Sequence, residues 1–105
     1  AIYNITKLFP KEELFLLVSQ MRRSAVSITA NIAEGYARLT PKEKLRYYNI
    51  SQGSLEETRN FIILSRDLGY ILPEDKIKFD YMAAEVSRLL NSYCKGIISR
   101  TDKEI

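Results

Sequence analysis

The sequence contains no histidine and only one cysteine, Cys94. Histidine is the commonest general base in enzymes and the commonest nitrogen ligand of zinc. Its absence excludes imidazole-dependent triads and Cys/His metal sites within this chain. A lone thiol cannot form an internal disulfide, which is typical of proteins in a reducing cytoplasm. Since no other metal-ligand spacing is present, we expect neither a metal nor a cofactor.

Glycine and proline are also scarce, with four and three residues, so that little of the chain is available for loops. No uninterrupted apolar run approaches the ~20 residues that span a bilayer. The first ten residues, AIYNITKLFP, lack the basic start and the apolar block of a signal peptide. We therefore expect a cytoplasmic protein that has no membrane partner.

Apolar residues, by contrast, are abundant. Hydrophobic types make up 46% of the 105 residues, which excludes intrinsic disorder and suffices for one domain with one core. Residues 1–50 carry eight basic and four acidic side chains, and residues 51–105 carry eight basic and nine acidic ones. A basic half attracts phosphate groups, although an ordinary solvated surface is at least as good an interpretation for a single copy.

Three helix starts and one helix end are marked by local sequence signals. Pro10 and Pro73 each precede acidic residues, which suit the positive end of a helix. The segment Thr40-Pro41-Lys42-Glu43 has the form of a capping box, and Gly69 is typical of a helix C-cap. These signals predict helices over residues 11–38, 41–68 and 73–99.

The arrangement of these helices follows from the short connections between them, which favour antiparallel neighbours. The segment AIYNITKLF before Pro10 resembles the last turns of an earlier helix. No strand-like alternation persists anywhere in the sequence. We therefore predict an all-α up-and-down four-helix bundle, with the first helix shortened in this chain, as a single domain over residues 1–105.

The predicted helix 11–38 has two apolar faces. One is a seam with alternating spacings of four and three, which suits a neighbouring helix: Leu14, Val18, Met21, Ala25, Ile28, Ile32 and Leu39. The other face is apolar or small, so that it allows close approach of another helix of the chain or of another subunit. We assign it to an oligomer interface, with Phe15, Val26, Ala30, Ala33 and Ala37 as its contact residues.

A polar stripe runs between these two faces and contains Gln20, Ser24, Ser27, Asn31, Glu34 and Arg38. Partly desolvated polar groups need partners, which we expect on helix 41–68. We predict an ion pair between Glu34 and Arg59, and a bond from Asn31 to Gln52 or to the backbone. Together with Ser27, these residues form a polar network that fixes the register of the helices. The alternative is a pocket for a ligand or a reaction.

The basic side chains of the N-terminal half are the candidate contacts to nucleic acid, and they are Arg22, Arg23, Lys42, Lys44 and Arg46. Such side chains suit phosphates, and no base-reading motif accompanies them. Tyr47 and Tyr48 lie beside three of them and are candidates for stacking on bases. We expect weak and poorly sequence-selective contacts, which become effective only when several copies act together.

The order of several motifs resembles a known family. They are FPKEE, LVSQMRRSAVSITANIAEG, a T-P-K-E helix start, SQGSLEE and LGYI, and they cover nearly the whole chain. The chain resembles bacterial proteins first noticed as reading frames inside intervening sequences of large-subunit ribosomal RNA genes. The resemblance implies an up-and-down four-helix bundle that assembles into a homopentamer and has no enzymatic activity. A related branch, the accessory proteins of diversity-generating retroelements, works with a reverse transcriptase and nucleic acid.

The residues that match the family motifs are Ser27, Asn31, Glu34, Gly35, Gly53, Ser54, Leu55 and Glu57. The resemblance implies structural roles for them, in agreement with a polar network between helices. We expect a non-enzymatic oligomeric scaffold that binds RNA, DNA or a nucleoprotein partner through a basic face. The alternative is a structural or protein-binding oligomeric module without affinity for nucleic acid.

Overall fold

The fold consists of three long helices. The structure is a computed structural model that describes residues 10–104, with side chains from residue 11 to residue 100. The helices are α1 (Pro10–Ala37), α2 (Pro41–Asp67) and α3 (Pro73–Glu104). The predicted helix bounds are confirmed to within one residue, except that α3 continues five residues beyond the predicted end. No helix in the described part of the chain is long and apolar enough to cross a membrane.

The prediction of a four-helix bundle is wrong, whereas the all-α class is confirmed. Residues 10–104 form three helices and no strand. The fourth helix was inferred from the family resemblance and from the segment of residues 1–9, which lies outside the described residues. The helical periodicity and caps of residues 10–104 account for three helices.

The helix boundaries follow from the caps that the sequence encodes. Thr40 is extended, and its side-chain hydroxyl accepts a bond of 3.2 Å from the backbone N–H of Glu43. The α2 C-terminus ends in a Schellman motif around Gly69, whose φ of 78° suits a residue without a Cβ. Gly69 N donates to the carbonyl of Arg66, and Tyr70 N donates to the carbonyl of Ser65. Both turns are therefore fixed by local chemistry.

Helix α2 is the centre of the molecule, because α1 and α3 both pack against it. No Cα atom of α1 lies within 8 Å of one in α3 over residues 10–104. The described chain is consequently elongated, with extents of 60 × 23 × 20 Å. The two outer helices flank an open groove whose floor is α2.

The interface of α2 with α3 is apolar. Its buried cluster is Tyr48, Leu90 and Ile97, and the partly buried side chains around it are Ile32, Leu45, Val86 and Cys94. Leu90 is 1% exposed and therefore has most of its surface removed from water. Burial also raises the pKa of the Tyr48 hydroxyl, because desolvation disfavours the phenolate. This cluster is the main hydrophobic core of the molecule.

The interface of α1 with α2 is different, because it is made largely of small polar side chains. Ser24, Ser51, Ser54, Thr58 and Ser65 are all buried. The Oγ1 of Thr58 lies 2.7 Å from the Oγ of Ser24, and the hydroxyls of Ser27 and Ser54 are also 2.7 Å apart. Ser51 donates to the carbonyl of Ile28 at 2.8 Å. Small side chains permit close approach of the helices, and these bonds satisfy the groups that the approach buries.

The predicted apolar seam of α1 is only partly buried. Leu14 is 40% exposed and Leu39 is 96% exposed, and the half-buried members are Val18, Met21, Ile28 and Ile32. The buried positions of α1 are Leu17, Ser24 and Gly35. Two of these three carry small side chains, which allow a close approach to α2, whereas the prediction followed the apolar residues alone.

A close contact between α1 and α2 lies at Gly35, where the ring of Tyr48 packs against the helix backbone. A Cβ built on Gly35 would lie 2.6 Å from Cε1 of Tyr48. We expect Gly35→Ala to lower the free energy of unfolding by about 1–3 kcal/mol, because the buried ring must move to admit the methyl group. Urea denaturation followed by circular dichroism measures this change.

Gly53 provides the matched control. It lies in the interior of α2, and no atom lies within 4 Å of the Cβ that an alanine would add. Gly53→Ala is therefore expected to raise the free energy of unfolding by up to about 1 kcal/mol, because alanine is the better helix former. Equal effects of the two substitutions would show that Tyr48 does not pack on Gly35.

Candidate nucleic-acid interface

Two members of the predicted polar network come together between α1 and α2. The side-chain amide of Asn31 donates to the carbonyl of Ser27 at 2.8 Å and to its hydroxyl at 3.0 Å. Ser27 in turn contacts Ser54 on α2. Gln52 points to the other interface, where its amide donates to the side chain of Asn91 on α3 at 2.6 Å. Ser27 and Asn31 thus belong to the α1–α2 contact, and Gln52 belongs to the α2–α3 contact.

The predicted ion pair between Glu34 and Arg59 is not formed. Glu34 pairs with Arg38, which directly follows the end of α1, and Arg59 pairs with Glu56 on its own helix. The reason is the register, which places Ser27 opposite Ser54. Glu34 and Arg59 then lie about 12 residues, or roughly 18 Å, apart along the helix axis. The cation that does reach across is Arg23, which pairs with Glu57.

The residues assigned to an oligomer interface are all exposed on α1, and Ala33 among them also lines the groove between α1 and α3. Phe15 is 72% exposed and Val26 is 65% exposed. Ala30, Ala33 and Ala37 are exposed as well. A helix of this protein thus presents a stripe of apolar and small side chains to its surroundings.

The predicted nucleic-acid contacts divide into two groups. Lys42, Lys44 and Arg46 occupy the first two turns of α2. The helix register places Arg22 and Arg23 about 14 residues, or roughly 20 Å, away along α1. Arg23 is also held by Glu57. The expectation of one continuous contact surface is therefore corrected, and the α2 group is the better candidate because it has further cations beside it.

Those further cations are Arg38 and Arg100. Arg38 follows the end of α1 directly. Arg100 lines the groove between α1 and α3 together with Lys44. We call this region the basic end and define it by Arg38, Lys42, Lys44, Arg46 and Arg100. Among residues 11–100, its acidic neighbours are Glu34, which pairs with Arg38, and Glu43. Arg100 could not be assigned from the sequence, because only the antiparallel packing of α3 on α2 brings it here.

Several side chains of the basic end are held in place. The ammonium of Lys44 donates to the carbonyl oxygens of Gly35 and Tyr36 at 3.2 and 2.8 Å. These carbonyls belong to the last turn of α1, where a helix has unpaired acceptors and a negative dipole end. Lys44 also lies over the ring of Tyr36, 5.7 Å from its centroid. Lys42 and Arg46 remain exposed to solvent.

The groove beside the basic end has a volume of about 730 Å³. Most of its lining is apolar or aromatic, and the two cations in it are Lys44 and Arg100. The other lining residues are Thr29, Ile32, Ala33, Tyr36, Tyr48, Tyr93 and Ile97. Burial raises the pKa of the nearby Cys94 thiol, which keeps it protonated and a poor nucleophile. In the described part of the chain, no group of three acidic or cysteine side chains could hold a metal.

The opposite end of the molecule has the reverse charge balance. Among the described residues, acidic side chains outnumber basic ones around the α1 start and the α2–α3 turn. The acidic residues are Glu12, Glu13, Asp67, Glu74, Asp75 and Asp80, and the basic ones are Lys11, Arg66, Lys76 and Lys78. Lys76 pairs with Asp80, and Arg66 pairs with Asp67. The two ends of the described part of the chain therefore differ in the sign of their charge excess.

Comparisons with known proteins agree on one family. The structure is similar to a crystal structure of a protein with unknown function from the S23 ribosomal protein family of Bacteroides thetaiotaomicron. The two share 26% sequence identity with a TM-score of 0.75, over 90% of this chain and 85% of the other. A comparison with curated proteins gives no match. The profile described as "23S rRNA-intervening sequence protein" matches residues 1–92, and the chain belongs to this family.

Proposed function

We propose that the protein is a non-enzymatic, oligomeric helical scaffold that binds nucleic acid through its basic end. The observation that carries this proposal is the concentration of Arg38, Lys42, Lys44, Arg46 and Arg100 at one end of the molecule. We place this activity in the cytoplasm, which the single thiol of the chain favours.

The chemistry of the basic end suits phosphates better than bases. Exposed ammonium and guanidinium groups neutralise phosphate charge and release counterions, whatever the sequence of the nucleic acid. One copy has a net charge of only +3, so its own affinity is expected to be weak. An assembly repeats the basic end, and each bound copy then raises the effective concentration of the next.

The exposed stripe of α1 supports self-association. A second subunit that covers Phe15 and Val26 removes apolar surface from water, and the alanines between them allow the backbones to come close. The expected number of five subunits comes from the family resemblance. We therefore propose that another copy of the chain covers this stripe.

Self-association predicts a specific effect of Ala30→Glu. The substitution puts a charge into a closely packed contact, so the assembly is expected to dissociate into a 12.2 kDa species while the helical content is unchanged. Light scattering at micromolar concentration measures the mass. Ala84→Glu, at an exposed alanine of α3, is the control and should leave the assembly intact. A wild-type protein that has the mass of one chain would contradict the proposal.

Binding itself is tested by fluorescence anisotropy with labelled single-stranded RNA, single-stranded DNA and duplex DNA of unrelated sequences. The assembled protein is expected to bind all of them with micromolar dissociation constants at low salt, and the affinity should fall linearly with the logarithm of the salt concentration. Wild-type protein that binds none of them at low salt would contradict the proposal. That result would favour a structural or protein-binding module.

A further inference from the structure

We propose that Tyr47 positions the guanidinium groups of Arg38 and Arg46 as a clip for the phosphodiester backbone. In this arrangement, the fixed orientation of the two guanidinium groups contributes to binding in addition to their charge. We call Arg38, Arg46 and Tyr47 the arginine clip. The inference rests on the proposed function, because it specifies how the basic end would hold nucleic acid.

The clip connects two helices through one aromatic ring. Arg38 follows the last residue of α1, while Arg46 and Tyr47 lie in the second turn of α2. The guanidinium carbon of Arg38 lies 4.8 Å from the ring centroid of Tyr47, and that of Arg46 lies 5.7 Å from it. Both groups are within the range of cation–π attraction, and stacking on a ring leaves the N–H edges of a guanidinium directed outward.

The bonds of Arg38 show which of its edges remains for a ligand. Its Nε is buried and has no hydrogen-bond partner in the described part of the chain. Its Nη2 donates to a carboxylate oxygen of Glu34 at 2.5 Å. The remaining donor group, Nη1, is thus the one left to meet a phosphate oxygen. Glu34 partly neutralises this cation, so the clip depends on Arg46 for most of its uncompensated charge.

An arginine clip and a diffuse basic surface differ in how their affinity for RNA changes when arginine is replaced by lysine. A guanidinium is planar, so that Arg46 can form paired bonds to a phosphate and Arg38 can direct its Nη1 group at one, whereas an ammonium acts as a point charge without a fixed orientation. We therefore expect Arg38→Lys with Arg46→Lys to weaken RNA binding about tenfold, although the net charge is unchanged. The control is Arg66→Lys with Arg88→Lys, which preserves charge at positions outside the basic end and should leave the affinity unchanged.

The role of the ring is tested at Tyr47 itself. Tyr47→Leu keeps an apolar side chain and the charge but removes the aromatic face, so RNA affinity should fall by a similar factor. Tyr47→Phe keeps the face and should bind as the wild type does. Tyr81→Leu, at an exposed tyrosine of α3, is the matched control. Urea melts of each variant separate a loss of binding from a loss of folding.

Fluorescence anisotropy with the same labelled RNA distinguishes the outcomes. A loss of affinity in the lysine pair and in Tyr47→Leu, with rescue in Tyr47→Phe, supports the clip. Wild-type binding that survives all of these substitutions overturns the clip and leaves binding by the basic end intact. An absence of wild-type binding overturns both proposals together.

Discussion

Replacing Lys42 and Arg46 together with glutamate is expected to lower the affinity of the assembled protein for RNA about 100-fold or more. Each reversal removes a contact to phosphate and introduces a repulsion, and each of these terms is worth on the order of 1 kcal/mol in a solvated setting. The slope of affinity against salt should fall as well, since fewer counterions are released. Both side chains are exposed, so the fold should be unaffected.

The control for this effect is a pair with the same change in charge at the opposite end. Lys11→Glu with Lys78→Glu alters exposed lysines near the α1 start and near the α2–α3 turn. If net charge alone governed binding, this pair would weaken it as strongly. The proposal requires a much smaller loss, because these lysines lie far from the basic end. Equal losses in the two pairs would contradict a localised interface.

Leu90→Ala is expected to lower the free energy of unfolding by about 2–5 kcal/mol. The side chain is 1% exposed and belongs to the cluster with Tyr48 and Ile97. Truncation removes buried methyl groups and leaves a cavity between α2 and α3, since neighbouring side chains relax only in part. Thermal or urea denaturation gives the change directly. An effect this large is a substantial fraction of the stability of a small domain.

The adjacent Leu89 is the matched control, because it has the same chemistry in the same helix. It is 50% exposed, so Leu89→Ala removes fewer contacts and should cost about 1 kcal/mol or less. The substitution has the same effect on helix propensity at both positions. A cost at Leu89 equal to that at Leu90 would show that α3 presents a different face to α2.

The helices could be predicted from the sequence because their ends are encoded locally. The proline starts at Pro10 and Pro73, the cap at Thr40 and the positive φ of Gly69 each depend on a few neighbouring residues. The number of helices in the bundle was not encoded in this way. The fourth helix was inferred from the segment before Pro10 and from a family resemblance, and residues 10–104 contain three helices.

The pairing of side chains between helices could not be predicted, because it depends on the register. The register depends on close contacts such as the ring of Tyr48 against Gly35. A difference of about 12 residues along the axis separates Glu34 from Arg59, although both belong to suitable faces. Periodicity identifies a face of a helix, but it does not identify the residue opposite.

The candidate site, too, could be predicted from the sequence only where its residues are neighbours in the chain. The cations at the start of α2 are close together in the sequence, so their grouping was predictable. Arg100 joins them only through the packing of α3, and Arg22 is separated from them by about half the length of α1. Tyr47 could be recognised as a tyrosine beside basic residues. Its contact with Arg38 requires the turn between α1 and α2 to be known.

The most direct test of the central claim, that nucleic acid binds at the basic end, is hydrogen–deuterium exchange of the assembled protein with and without RNA. Binding at the basic end predicts slower exchange of backbone amides in residues 36–47 on addition of RNA. Residues 66–78, at the opposite end, should exchange at the same rate in both samples. Protection of residues 66–78 instead of residues 36–47, or no change anywhere in the chain, would contradict the claim.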